Sequence, residues 1–295
     1  MINHLAGIVP ISGQKRVDYV FPWHDCLMPL SKDYYAIQRA VYECALVGCE
    51  VIWVVSDLEF QPLIKEIVGE WIMDPCSLDS PHRLRESFEH KRIPVHYLPI
   101  HPKDRDRRDC LSWSILYGAN VANRIASKFS KLAITDKFWI AFPHGIYDPE
   151  KLRFLRKGSL NNTLKKKSSN FYLTYKDKSI INGTQAGFSM NQKQVATLTR
   201  NFKDMEVGDR YYEGSVRKRR PASESFTGRV FSLDKVFNKL YDGEEVEVFE
   251  LPEYYQIDKF SEYRRMLGSS MELTKPSSIS RFERKKREWR KMFLT

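Results

Sequence analysis

The chain has 295 residues, 42% hydrophobic and 13% aromatic, which is enough for a sizeable core and too apolar for a disordered chain. Its 48 Lys and Arg against 37 Asp and Glu leave a formal net charge of +11, a field that favours nucleotides, nucleic acid or an acidic surface unless the excess sits in exposed tails. Five cysteines without a CxxC pair argue against a disulfide framework or a thiolate zinc site and for reduced thiols in the cytoplasm. No cleavable leader and no apolar run near the ~18 residues of a spanning helix is visible, so no membrane is expected.

In chain order, Ala6–Pro10 reads as an apolar strand, followed by a polar loop, Ile11 to Arg16, and a second loop ending in Phe21-Pro22-Trp23-His24-Asp25-Cys26-Leu27-Met28-Pro29-Leu30. Apolar residues at spacings of three and four from Ile37 to Leu46 predict a helix over 35–47, stopped by Gly48. Five consecutive apolar residues, Val51–Val55, predict a strand buried on both faces, completing a βαβ unit. A helix is expected over Phe60–Trp71, an irregular stretch over 74–92, and a strand over Ile93–Ile100. The sign-mixed run Lys103–Asp109 reads as a charged loop, 112–129 as a long helix, and Phe138–Phe142 as a strand ending in Pro143-His144-Gly145. Alternating strands and helices imply a doubly wound sheet with right-handed crossovers.

The second half is richer in strands. Residues 156–169, with Lys165-Lys166-Lys167, read as a solvated turn; Phe171–Tyr175 reads as a half-exposed strand turning at Lys176–Ser179 into Ile180-Ile181. A polar helix is expected over 185–206, a mobile basic segment over Tyr211–Arg220, and a strand over Thr227–Ser232. A short helix over Leu233–Leu240, a strand over Val246–Leu251 and a helix over Lys259–Leu267 follow. The tail from Lys275 holds Arg281, Arg284, Lys285, Lys286, Arg287, Arg290 and Lys291 with Phe282, Trp289 and Phe293 interleaved. Such a tail either meets a phosphate backbone and stacked bases or packs as a basic helix on the domain.

Ligands of open α/β sheets bind outside the carboxyl ends of the strands, so the loop Ser12-Gly13-Gln14-Lys15-Arg16 is the first candidate site. A glycine lets backbone N–H groups approach phosphate, and Arg16 offers a bidentate contact; the alternative is a solvated turn with two exposed cations. The order of this loop, Met28-Pro29-Leu30, helix and buried strand resembles the nucleotidyltransferase branch of the GT-A superfamily, which includes the sugar-1-phosphate nucleotidylyltransferases. Gly13, Lys15 and Arg16 match its loop, and Pro29-Leu30 matches the end of its Pro-Lys-Pro-Leu segment, with Met28 where that family has Lys. The resemblance further implies a Mg²⁺ site. The family's central strand ends in Gly-Asp, where this chain has Pro143-His144-Gly145 with Asp148 as the nearest carboxylate; a late aspartate before a helix corresponds to Asp258. Asp258 also suits a helix N-cap, and His144 a phosphate contact or a capped loop. Ser112, in the stretch that corresponds to a base-contacting segment, is a further nucleotide-binding candidate.

The expected fold is therefore a three-layer, mostly parallel mixed sheet of GT-A, Rossmann-like type. One domain over 1–274 would divide into a nucleotide-binding half (1–150) and an acceptor half (151–274), with a basic tail over 275–295. The implied activity is Mg²⁺-dependent transfer of a nucleotidyl group from a nucleoside triphosphate to a sugar phosphate or similar anionic acceptor. Lys15 and Arg16 would act on the phosphates, Ser12, Gly13, Gln14 and Ser112 would complete the nucleotide site, and Asp148 and Asp258 would hold the metal. Two alternatives share the fold: glycosyl transfer from a nucleotide sugar to a polymer such as nucleic acid, and a catalytically silent nucleic-acid-binding or assembly protein.

Overall fold

The computed structural model describes residues 4–13, 23–76, 92–129, 135–153, 170–207, 210–221, 227–271 and 273–276. Gln14, Lys15, Arg16, the turn 156–169 and the tail beyond 276 lie outside the described residues.

The first half runs β1 (His4–Pro10), β2 (Pro29–Ser31), β3 (Tyr34–Tyr35), α1 (Ala36–Val47), β4 (Val51–Ser56), α2 (Gln61–Val68), β5 (Trp71–Met73), β6 (Arg92–Pro99), α3 (Pro102–Arg108), α4 (Leu111–Phe129), β7 (Thr135–Ile140) and β8 (Gly145–Ile146). The second adds β9 (Asn170–Thr174), β10 (Phe188–Asn191), α5 (Gln192–Met205), β11 (Arg210–Glu213), β12 (Val216–Arg219), α6 (Leu233–Phe237), β13 (Val246–Glu250), β14 (Tyr255–Gln256) and α7 (Phe260–Leu267).

Eight strands form one sheet in the order β13-β9-β10-β7-β1-β4-β6-β5. β7, β1, β4 and β6 are mutually parallel, β10 runs antiparallel between β7 and β9, β13 is parallel to β9, and β5 is antiparallel to β6. The sheet is thus α/β and mixed, and draws strands from both halves of the chain. Its margins are β5, three residues long, and β13, whose Val-Glu-Val-Phe-Glu carries Glu247 and Glu250.

The unbroken apolar runs follow from burial on two faces. Leu5 and Val9 of β1 with Ile52 and Val54 of β4 pack under α1, whereas Ala6 and Ile8 with Trp53 and Val55 pack under α4. Every residue of α1 is buried, including Gln38, Arg39 and Glu43. Fully burying a large aliphatic side chain contributes about 1.5–3 kcal/mol, so these two layers dominate the fold's stability.

Several local expectations are corrected. The second helix ends at Gly69, which takes φ +89°; Trp71 then starts edge strand β5, 45% exposed beneath the Arg92 guanidinium, instead of lining a helix face. The charged run after β6 is helical, because Pro102 suits a first turn and Asp104 pairs with Arg108 one turn on at 2.8 Å. The turn at Lys176-Asp177, both at positive φ, does make a hairpin. Its return strand, however, is Phe188–Asn191, which shortens the expected helix 185–206 to α5, while Ile180–Asn182 is only a 3₁₀ turn. Tyr211–Arg220 forms the β11–β12 ribbon, and Gly228–Val230 is a 3₁₀ turn in place of a strand.

Candidate functional site at the β1–β7 switch point

β1 leads through α1 to β4 on one side, while β7 lies on β1's other side and leads on to β9 and β10. The strand order therefore reverses between β1 and β7, which in open sheets marks the ligand crevice at the carboxyl edge. The loop after β1 is pinned there. The N–H groups of Ile11 and Ser12 both donate to the Val55 carbonyl, at 2.8 and 3.1 Å. The Ser12 hydroxyl donates to Asp57 Oδ1 at 2.5 Å, and the Ser114 hydroxyl donates to the Ser12 carbonyl at 2.5 Å. Gly13 follows at φ +77°, and a Cβ there would overlap the Cys110 backbone at the start of α4. Only glycine meets both demands. Gly13, the last described residue before Gln14–Arg16, is thus held between the ends of β1 and β4 and the start of α4.

Ser12 and Ser112 are themselves buried. Ser12 spends its hydroxyl on Asp57, and Ser112 donates to the Ser232 carbonyl at 3.3 Å. Both hydroxyls position backbone at this edge. Asp109 lies beside them; burial, and then the neighbouring Asp57, push its carboxyl above the usual range against Arg229 and Arg105.

On the other side of the crevice β7 ends in Pro143-His144-Gly145. The ribbon β8–β14 pairs Ile146 with Tyr255 and Gly145 with Gln256, and the Ile257 N–H donates to the His144 carbonyl at 3.0 Å. Gly145 passes so close to the Gln185 carbonyl that a Cβ would overlap it. Gln256 accepts from the Tyr254 hydroxyl at 3.1 Å and donates from Nε2 to Asp258 Oδ2. His144 is 2% exposed, and its Nε2 has no hydrogen-bond partner among the described residues. Burial, and then the nearby His24, lower its pKa to about 3, so the imidazole is neutral. His24, from the loop before β2, accepts the Cys26 N–H at 3.2 Å and sits edge-on to Phe60.

The ribbon separates the two aspartates expected to share a metal ion. Asp258 follows β14 by two residues and Asp148 follows β8 by two, so in this antiparallel pair they leave from opposite ends. Asp148 caps the 3₁₀ turn Pro149–Leu152, accepting the Glu150 N–H at 3.0 Å. It lines a separate cavity of about 430 Å³ with Tyr147, Lys151, Leu251 and Glu253. The Asp258 backbone stays beside the end of β7.

No protein-family model matches this sequence, and no curated protein matches it. Solved structures do. A Bacillus anthracis protein described as a glucose-1-phosphate thymidylyltransferase, in complex with sucrose, aligns over 92% of this chain and 98% of its own at TM-score 0.54 and 9% identity. The inositol-1-phosphate CTP transferase of T. maritima aligns over 95% and 98% at TM-score 0.50 and 9% identity. The chain has a nucleotidyltransferase-like fold. At such identity the likeness is one of architecture, and the chemistry rests on this chain's own residues.

Within that nucleotidyltransferase-like fold, Asp148 already accepts the Glu150 N–H and Asp258 the Gln256 amide from among the described residues. Among them no three His, Cys, Asp or Glu side chains converge on one point, and the strand-end position is filled by a neutral, buried imidazole. A hard cation taking one carboxylate and otherwise phosphate oxygens would have Asp258 beside the crevice. No described helix is long and apolar enough to cross a membrane.

Residue-by-residue reading missed Asp57, which orients the first loop, and the charge network beneath β7. Fully buried Arg39 pairs with Glu43 at 2.8 Å and donates to the Phe142 carbonyl at 2.5 Å, and Trp139 Nε1 donates to Glu43 at 3.0 Å. Burial alone would lower the Arg39 pKa, but Glu43 holds it above the ordinary value, so the guanidinium stays charged. Its signal in the sequence was polar residues on the face of α1 that turns inward, at the four-residue spacing of a helical ion pair.

Proposed function

We propose that the chain binds a nucleoside triphosphate at the β1–β7 crevice and transfers its nucleotidyl group to a sugar phosphate or similar anionic acceptor. The observation that carries this reading is the Ser12–Gly13 turn, locked between Asp57, Val55 and Ser114 at the switch point of a nucleotidyltransferase-like sheet. Gln14, Lys15 and Arg16, next in the chain, supply the phosphate-holding groups. Lys15 and Arg16 neutralise the triphosphate while an acceptor phosphate oxygen attacks the α-phosphorus; the new P–O bond forms as the α–β anhydride bond breaks and pyrophosphate leaves. Ser12 and Ser112 shape the pocket through the backbone they hold. Asp258 is the carboxylate offered to Mg²⁺, which when bound would screen phosphate charge. Asp148, at the far end of the ribbon, serves the neighbouring cavity.

The test is a thermal-shift panel of nucleoside triphosphates and nucleotide sugars with and without Mg²⁺, followed by product analysis. A ligand at a hundredfold excess over its dissociation constant stabilises by about 2.7 kcal/mol. Release of pyrophosphate supports nucleotidyl transfer, whereas release of nucleoside diphosphate from a nucleotide sugar replaces it with glycosyl transfer. Gly13→Ala should abolish the nucleotide-induced shift, because its Cβ cannot be placed without moving the loop off α4. Asp258→Asn should remove any Mg²⁺-dependent part while leaving the unliganded melting point in place. A panel with no shift under any condition would reject the reading.

A further inference from the structure

The β11–β12 ribbon is not used by the site just described. Its feet stand on the carboxyl-edge side: Glu206, before it, accepts from the Arg108 guanidinium at 2.7–3.0 Å, and the turn Gly228–Val230, after it, packs on α3. Its tip faces open space at Gly214, where a Cβ would meet nothing within 4 Å.

The register sorts the side chains onto two faces. Tyr211 pairs with Lys218 and Glu213 with Val216, so these four share one face with Arg220, and Tyr212 shares the other with Arg217 and Arg219. Observed contacts agree. On the first face Lys218 forms an ion pair with Glu213, and the Arg220 guanidinium lies 4.9 Å over the Tyr211 ring. Both cations there are already engaged. On the second face Arg217 and Arg219 are exposed, carry no ion pair among the described residues, and have no carboxylate on their face. Tyr212, directly across from Arg217 on that face, is 71% exposed.

We propose that this second face docks a single-stranded nucleic acid, with Arg217 and Arg219 on successive phosphates and Tyr212 stacked on an unpaired base. Two exposed guanidinium groups without a carboxylate on their face complement a polyanion. A ring standing free beside two guanidinium groups suits a strand whose base faces are open; a duplex hides those faces and an acidic peptide has none. The ribbon's feet near α3 would lead such a strand past the carboxyl edge of the sheet.

Fluorescence anisotropy of the full chain with labelled oligo(dT) across a salt series tests this. R217Q/R219Q should lower the slope of log affinity against log salt by about 1.4, at roughly 0.7 per lost phosphate contact on a single strand. Tyr212→Ala should weaken binding roughly tenfold, and Tyr212→Trp should retain it. Lys218→Gln, on the engaged face, should leave the slope in place. All four positions are exposed, so melting points report that folding is intact. Because the same chain is compared throughout, cations elsewhere cancel from the differences. Equal loss in Lys218→Gln and R217Q/R219Q, or unchanged binding in R217Q/R219Q and Tyr212→Ala, would overturn the proposal. So would phosphatidylserine vesicles or polyglutamate losing affinity in R217Q/R219Q while oligo(dT) does not, or duplex DNA binding as tightly as oligo(dT) with no loss on Tyr212→Ala.

Discussion

His144 sits where the central strand meets the crevice, and its environment makes an acid-sensitive fold. Its folded pKa is about 3 against an ordinary 6.5. Below pH 6.5 the unfolded chain takes up a proton that the folded chain refuses until near pH 3. Stability from this residue is therefore present above pH 6.5 and is lost as pH falls through that window, on the order of 5 kcal/mol in full. Urea denaturation from pH 7 to 4 should show a steep loss in the native chain and a flatter one in His144→Gln. Equal slopes would mean that a protonated imidazole is tolerated there. The residue's place at the end of the central strand was legible in the sequence. Its burial was not, because it depends on residues distant in the chain, His24 near the ring and Ile257 hydrogen-bonded to its backbone carbonyl, which leave no local pattern.

At the scale of elements, α1 and β7 are joined by Arg39, Glu43 and Trp139. Taking one member of a buried ion pair away leaves an uncompensated charge, so Arg39→Ala should cost about 3–5 kcal/mol in chemical denaturation. R39M/E43L should cost less than the sum of its two single changes; strict additivity would show that the pair is not coupled. Elements with strong periodicity, β1, α1, β4, α4 and β13, were readable from the sequence to within a few residues. Those misread were decided by pairing: β5 and β10 are short, and their strand state comes from β6, β7 and β9. The helix α3 hid inside a charge run whose helical marks were Pro102 in its first turn and the four-residue spacing from Asp104 to Arg108. Of the candidate site, Gly13 was visible as a glycine after a strand, but the loop's anchorage on Asp57 and Ser114 was not, because those partners lie 45 and 102 positions away. The separation of Asp148 from Asp258 was not, since it depends on the register of a two-residue ribbon.

For the whole molecule, the sheet makes the two halves interdependent. β10 hydrogen-bonds along β7, and Val195, Leu198 and Phe202 of α5 join the core cluster of α4. A fragment of residues 1–150 should therefore fail to give a cooperative melt by circular dichroism, although it holds the entire candidate nucleotide loop. A sharp transition from that fragment would show the first half to be self-sufficient.

The margins of the sheet bear on how copies of this protein meet. A neighbour aligning along β13 would set Glu247 and Glu250 against their own counterparts at the ~4.8 Å spacing of adjoining strands, where like charges repel, and β5 at the opposite border offers only three residues to grip. The molecule is thereby guarded at both borders against the edge-to-edge stacking of its sheets into fibres.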